Sequence, residues 1–188
     1  MHRTLSKYFG YDTFRPLQED IIKDVLEGKD VFVLMPTGGG KSLCYQLPAL
    51  LMNGVTIVVS PLISLMKDQV DTLRANGVEA AYLNSTLSYK ESNQIKQDLE
   101  KNLIKMLYVA PERLTLSSTL ALFDRIKVNL FAIDESHCIS EWGHDFRPEY
   151  RKLSILKRKY PHIPIIALTA TATPRVREDT ISQLHIQG

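Results

Sequence analysis

The sequence predicts an α/β domain built on a central, mainly parallel sheet with helices on both faces. Three observations carry that expectation. Six short apolar segments rich in branched and aromatic residues recur along the chain. Amphipathic stretches of helical length lie between them. A run of three glycines ending in Lys41-Ser42 joins the first apolar segment to the helix that follows it.

The predicted strands are 31–35 (VFVLM), 56–59 (TIVV), 80–83 (AAYL), 106–109 (MLYV), 130–133 (LFAI) and 165–168 (IIAL). Their nearly uniform apolarity is that of strands buried on both faces. Residues 17–26 carry apolar positions at helical spacing, and 42–52 follow the glycine run. A helix over 62–75 stops at Asn76-Gly77, a helix-ending pair. Residues 88–102 read as a polar surface helix. The stretches 148–160 and 174–184 each open with proline, which suits a first helical turn. Repeated alternation of strand and helix implies parallel pairing, with ligands at the carboxyl ends of the strands.

A chain of 188 residues suffices for one domain with a sizeable core, and we read residues 1–188 as a single domain. The net charge of +2 is too mild for a strongly basic field, so a nucleic-acid partner must be held by local contacts. Cys44 and Cys138 have no metal-ligand spacing and form no disulfide framework, as befits a reducing interior. The start MHRTLSKYFG lacks a long apolar run, so no signal peptide is expected, and no segment has the length of a membrane span. The cytoplasm is the expected compartment, with the nucleoid, or the nucleus in a eukaryote, as its alternative.

The first strand runs into PTGGGKSLCYQLPAL. Glycines let the backbone curl so that successive N–H groups face one anion, and the next helix offers its positive end. Thr37, Gly38, Gly39, Gly40, Lys41 and Ser42 are thus the candidate phosphate site, with Lys41 reaching the β- and γ-phosphates of ATP and Ser42 ligating Mg²⁺. Met35 stands where the usual pattern has a further glycine, and Cys44 reads as a small core residue.

The fifth strand ends in Asp134-Glu135. A phosphate-loop enzyme needs one carboxylate for the metal and another to orient the attacking water. Asp134 is assigned to the metal and Glu135 to the water, with His137 linking this site to something that moves. Beyond them lies SEWGHDFRPEY, whose aromatic residues fit neither a helix nor a strand period. Tyr150, inside the next helix, is expected in the core.

TGGGKS, DESH and the later LTATATP together resemble a superfamily 2 helicase, and YFGYDTFRPLQEDII with SEWGHDFRPEY resembles the RecQ family of DNA helicases. The resemblance covers nearly the whole chain and implies the first of two RecA-like P-loop NTPase lobes. It implies that Gln18 reads the adenine edge, Tyr11 stacks on the base and Arg15 lies near the nucleotide, all within residues 1–28. It implies that Trp142 and Phe146 stack on bases of single-stranded DNA, that Arg147 adds a contact, and that His144 senses DNA on one side and the acid pair on the other. Thr169 and Thr171 match the segment that couples the lobes, and Ser60 and Asn84 the strand-end DNA contacts. The second lobe, which supplies an arginine finger, is expected outside this sequence, leaving this lobe nearly inactive by itself. Two other readings stay open: an RNA helicase of the DEAD-box kind, which predicts Asp-Glu-Ala-Asp at the box and no aromatic loop, and a non-catalytic nucleotide-dependent binding module.

Overall fold

The computed structural model describes residues 1–36, 40–114 and 116–186. Six strands form one parallel sheet in the order β1-β6-β5-β2-β4-β3. They are β1 Val31–Leu34, β2 Val55–Val59, β3 Ala80–Leu83, β4 Met106–Val109, β5 Val128–Ile133 and β6 Ile165–Thr169. Each coincides with a predicted strand to within one or two residues. The helices are α1 His2–Thr4, α2 Gln18–Leu26, α3 Leu43–Leu51, α4 Ile63–Ala75, α5 Tyr89–Glu100, α6 Pro111–Leu114, α7 Ser117–Arg125, α8 Ile155–Lys159 and α9 Pro174–Leu184. A single π-helical turn, Leu5–Phe9, follows α1.

The uniform apolarity of the strands has a simple cause: both faces of the sheet are covered. Ile57, Leu107, Phe131 and Ile133 enter one apolar cluster. Their chain neighbours Val58, Tyr108, Leu130 and Ala132 enter the other. Phe131 is fully buried between Phe123 of α7 and Tyr160, at ring separations of 6.2 and 5.6 Å. Truncating such a side chain costs about 3–5 kcal/mol. The start of α5 is fixed by a capping box, in which Glu91 N–H donates to Ser88 Oγ and Ser88 N–H to a Glu91 carboxylate oxygen.

One predicted element is corrected. Residues 148–160 are not a continuous α-helix but a 3₁₀ stretch, Pro148–Ser154, leading into the short α8. Tyr150, Leu153 and Leu156 recur every third residue and are all fully buried. A spacing of three keeps them on one face only if the backbone tightens to three residues per turn. Helix α7 lay outside the sequence reading, although Thr119, Leu122 and Phe123 bury one of its faces.

Candidate nucleotide site and aromatic loop

Because β6 lies between β1 and β5, three strand ends meet at the carboxyl edge of the sheet: the glycine loop after β1, Asp134 after β5 and Thr169 at the end of β6. Met35 leaves β1 by donating its N–H to the Thr169 carbonyl at 3.0 Å and stays buried, so the residue in place of the usual glycine serves as packing. Thr37, Gly38 and Gly39 lie outside the described residues. Gly40 has φ +80°, which favours glycine, and a Cβ there would displace the Gln18 amide from its place. Ser42 precedes α3 without a side-chain capping bond and lines the cleft.

That cleft, of about 550 Å³, is lined by Tyr11, Arg15, Gln18, Gly40, Lys41, Ser42, Asp134 and Glu135, among others. The N-terminal motif and the two strand-end motifs therefore converge. Lys41 Nζ stands 3.6 Å from Asp134 Oδ1 and 3.9 Å from Glu135 Oε1. Tyr11 is 57% exposed at the rim. Gln18 is buried, accepts from Arg15 N–H at 2.7 Å and donates to the Gly40 carbonyl at 3.0 Å. Its amide thus ties the N-terminal motif to Gly40, and one N–H and one oxygen lone pair remain for a further partner. Gln46, Gln69, Thr72 and Asn76 also line the cleft. Sequence reasoning assigned none of the four to the nucleotide, yet Gln69, Thr72 and Asn76, spaced by three and four along α4 and its C-cap, share one helix face.

Asp134 is held on three sides. Its N–H donates to the Val59 carbonyl at 2.9 Å, its carbonyl accepts from the Tyr150 hydroxyl at 2.8 Å, and Oδ1 accepts from Glu135 N–H at 2.9 Å. Burial raises its pKa, opposed by the Lys41 charge and reinforced by Glu135. A buried carboxylate that Lys41 neutralises only in part suits a divalent cation, and Ser42 lines the same cleft. Glu135 has φ 51° and ψ 42°, a left-handed conformation that costs a non-glycine residue about 1–3 kcal/mol. The kink turns adjacent carboxylates in different directions: Glu135 Oε2 comes within 3.7 Å of His137 Nε2.

His137 is buried, and its Nδ1 lies 2.7 Å from Thr169 Oγ1. The Thr169 hydroxyl donates to the Thr171 carbonyl at 3.0 Å and accepts from Thr171 N–H at 3.2 Å. These bonds fix the orientation of the imidazole, with Nδ1 on the Thr169 hydroxyl and Nε2 turned toward Glu135 and Asp145. Burial and the neighbouring His144 lower the His137 pKa, so the ring is neutral at pH 7. The His144 ring stacks on His137 at 5.2 Å and 11°. Asp145 reaches toward His137 Nε2 at 4.0 Å and Arg147 Nε at 3.5 Å, and Arg147 N–H donates to the Cys138 carbonyl at 2.9 Å. Trp142 is 59% exposed, with the Arg175 guanidinium 3.3 Å above its ring centre. Phe146 sits under Arg151 at 5.5 Å.

Tyr150 is in the core as expected, and its hydroxyl also braces Asp134, a contact the sequence did not reveal. Ser60 and Asn84 stand just beyond the ends of β2 and β3 and are buried. Ser60 Oγ accepts from Leu62 N–H, and Asn84 Oδ1 accepts from Thr86 N–H. Their side chains shape their own turns. Burial pushes the Cys44 and Cys138 thiols up to about 12, so both stay protonated and unreactive. No described helix is long and apolar enough to cross a membrane.

The chain is 54% identical to the ATP-dependent DNA helicase RecQ of Pasteurella multocida over 98% of its length, spanning 29% of that protein. It is 53% identical to the RecQ of Bacillus subtilis over its whole length, spanning 32% of the relative, and 52% identical to the ATP-dependent DNA helicase Q5 of Rattus norvegicus over 98%, spanning 20%. It therefore covers a third or less of these relatives. The fold is shared with the Pyrococcus furiosus Hef helicase domain, at TM-score 0.63 and 21% identity over 93% of this chain and 36% of the other. It is also shared with the helicase MrfA bound to DNA, at TM-score 0.75 and 18% identity over 96% and 27%. RecA-like helicase domains are thus its structural neighbours, and helicases of this kind work with ATP and a divalent metal. The DEAD/DEAH box helicase family matches residues 15–180, most of the sequence, and the chain belongs to that family.

Proposed function

We propose that this chain is the first motor lobe of a RecQ-type ATP-dependent DNA helicase, which translocates 3′ to 5′ along single-stranded DNA and unwinds duplex. The observation that carries the reading is the position of His137, between Glu135 in the cleft and His144 in the aromatic loop. A nucleotide site alone does not need that loop, and a motor that answers to a strand does.

In this reading Thr37, Gly38, Gly39 and Gly40 cradle the phosphates and Lys41 meets the β- and γ-phosphates. Ser42 and Asp134 hold Mg²⁺, and Glu135 orients the attacking water. The metal, when bound, draws charge from the phosphates. Tyr11 stacks on the adenine, while Arg15 and Gln18 border it. Trp142 and Phe146 take up bases, with Arg147 and His144 beside them. Thr169 and Thr171 hold His137 in the orientation that turns Nε2 toward Glu135. Ser60 and Asn84 act through the turns they shape, which present backbone groups to phosphate. A second lobe supplied by the parent protein closes the site with an arginine, worth about 10³–10⁵ in rate in related enzymes.

Two measurements test the reading. The purified chain should bind a Mg²⁺-ATP analogue and turn ATP over near background; robust DNA-stimulated turnover by the chain itself contradicts the need for a second lobe. In the parent protein, single-stranded DNA should stimulate ATP hydrolysis more than RNA of the same sequence. Preference for RNA contradicts the DNA assignment and favours the RNA-helicase alternative.

A further inference from the structure

Trp142 is the one tryptophan of the sequence. Its neighbour Gly143 packs against the first turn of α9: a Cβ at that glycine would lie 3.8 Å from Val176 Cγ2. The same turn carries Arg175, whose guanidinium lies 3.3 Å above the centre of the Trp142 ring. The turn is anchored, because Thr173 Oγ1 accepts from Val176 N–H at 3.2 Å and Val176 is buried. It also follows directly on the Thr169–Thr171 turn that holds His137. Arg175 is exposed and forms no salt bridge with an acidic side chain among the described residues. Nor does the helix gain from it, since a cation on the first turn is opposed by the helix dipole. What Arg175 does touch is the ring of Trp142.

We propose that Arg175 is a positioning residue that covers one face of Trp142 until a base of single-stranded DNA takes its place, so that strand binding frees the aromatic loop from the first turn of α9. The proposal rests on the reading that Trp142 meets DNA bases. The exchange runs in the right direction. An exposed cation–π contact is worth about two- to fivefold in an equilibrium, whereas stacking a base on an aromatic ring is worth about five- to 150-fold. DNA occupancy is thereby felt on the element that leads back through Thr171 and Thr169 to His137.

The test uses the emission of Trp142, which no other tryptophan obscures. Arg175→Ala is compared with wild type and with Arg177→Ala. Arg177 is exposed on the same helix and loses the same charge without touching the ring. In free protein, Arg175→Ala should raise quenching of Trp142 by acrylamide about twofold, and Arg177→Ala should leave it unchanged. With saturating oligothymidylate, all three proteins should reach the same low quenching. Arg175→Ala should bind the oligonucleotide about two- to fivefold more tightly than Arg177→Ala. Equal quenching of free wild type and Arg175→Ala overturns the clasp, as does a bound-state difference between them, which means the guanidinium stays on the ring. Weaker binding by Arg175→Ala than by Arg177→Ala also overturns it. If oligothymidylate binds and leaves Trp142 emission unchanged in every protein, the base-stacking reading of Trp142 fails and takes the exchange with it. That result is distinct from failure of the clasp alone, in which DNA alters wild type and Arg175→Ala equally.

Discussion

Residues 134–137 and residues 142–147 lie close in sequence and differ in what holds them. The first group leaves the end of β5 and is pinned from three directions: by Val59, by the Tyr150 hydroxyl and by Thr169. The backbone of the second is tied at its two ends, by Trp142 and Gly143 N–H to Ser140 and by Arg147 N–H to the Cys138 carbonyl, while its side chains are held by contacts among exposed or half-buried groups, the Arg175–Trp142 and Arg151–Phe146 pairs and the Asp145–Arg147 ion pair. Exposed contacts of this kind are worth about 1 kcal/mol or less each. Buried hydrogen bonds left unpaired cost about 1–3 kcal/mol. The first group is therefore positioned by the fold, and the second can be repositioned by a ligand. His137 and His144 stack at the boundary. A rigid chemical site beside a yielding sensor is what coupling needs, because a ligand shifts only an element whose alternatives lie close in energy.

The largest expected effect breaks the rigid side. Lys41→Ala removes the one lysine facing both carboxylates of the cleft and should weaken Mg²⁺-ATP binding about 30-fold or more, while the thermal transition stays cooperative. Unchanged affinity by calorimetry contradicts the phosphate-loop assignment. Next comes the yielding side. Trp142→Ala with Phe146→Ala should reduce single-stranded DNA affinity about five- to 150-fold and leave nucleotide affinity within about twofold. A parallel loss of nucleotide binding means the two groups are not separable as described. Tyr150→Phe sharpens the comparison: loss of the bond to the Asp134 carbonyl should cost about 1–3 kcal/mol in urea unfolding, and an indistinguishable midpoint shows that β5 alone fixes Asp134.

The smallest effect is a pH dependence. The folded-state pKa of His137 is lowered, chiefly by burial. Below the ordinary histidine value, near 6.5, the unfolded chain takes up a proton that the folded chain refuses. Stability contributed by neutral His137 is thus present above that value and is lost as pH falls from it toward the lower folded-state pKa. The melting temperature of wild type should drop more between pH 7.5 and 5.5 than that of His137→Gln. Equal slopes contradict a buried neutral imidazole.

The strands were legible because burial on both faces leaves a plain apolar signature, as in VFVLM and IIAL. The cleft was legible because glycine, lysine and acidic residues stood at strand ends, where parallel sheets place ligands. Three features were not. The 3₁₀ stretch over Pro148–Ser154 shows itself only as a spacing of three, which a helical reading absorbs. The left-handed Glu135 is a backbone state that its residue type does not announce. The contacts of Tyr150 with Asp134 and of Arg175 with Trp142 join residues 16 and 33 positions apart in the numbering, and no local pattern encodes such pairs. Ser60 and Asn84 show the converse: polar residues at strand ends suit phosphate contact and turn formation equally well, and the fold uses their side chains for the turns.

If His137 and Thr169 link the cleft to the aromatic loop as proposed, nucleotide in the cleft is felt at Trp142. The direct measurement is Trp142 emission during titration with a non-hydrolysable Mg²⁺-ATP analogue, alongside calorimetry on the same samples. In wild type the emission change should follow the calorimetric saturation curve. In Thr169→Val, which cannot hydrogen-bond His137 Nδ1, the analogue should still bind and the emission change should fall by at least about half. Saturable binding in wild type with flat emission, or an undiminished response in Thr169→Val, contradicts the claim.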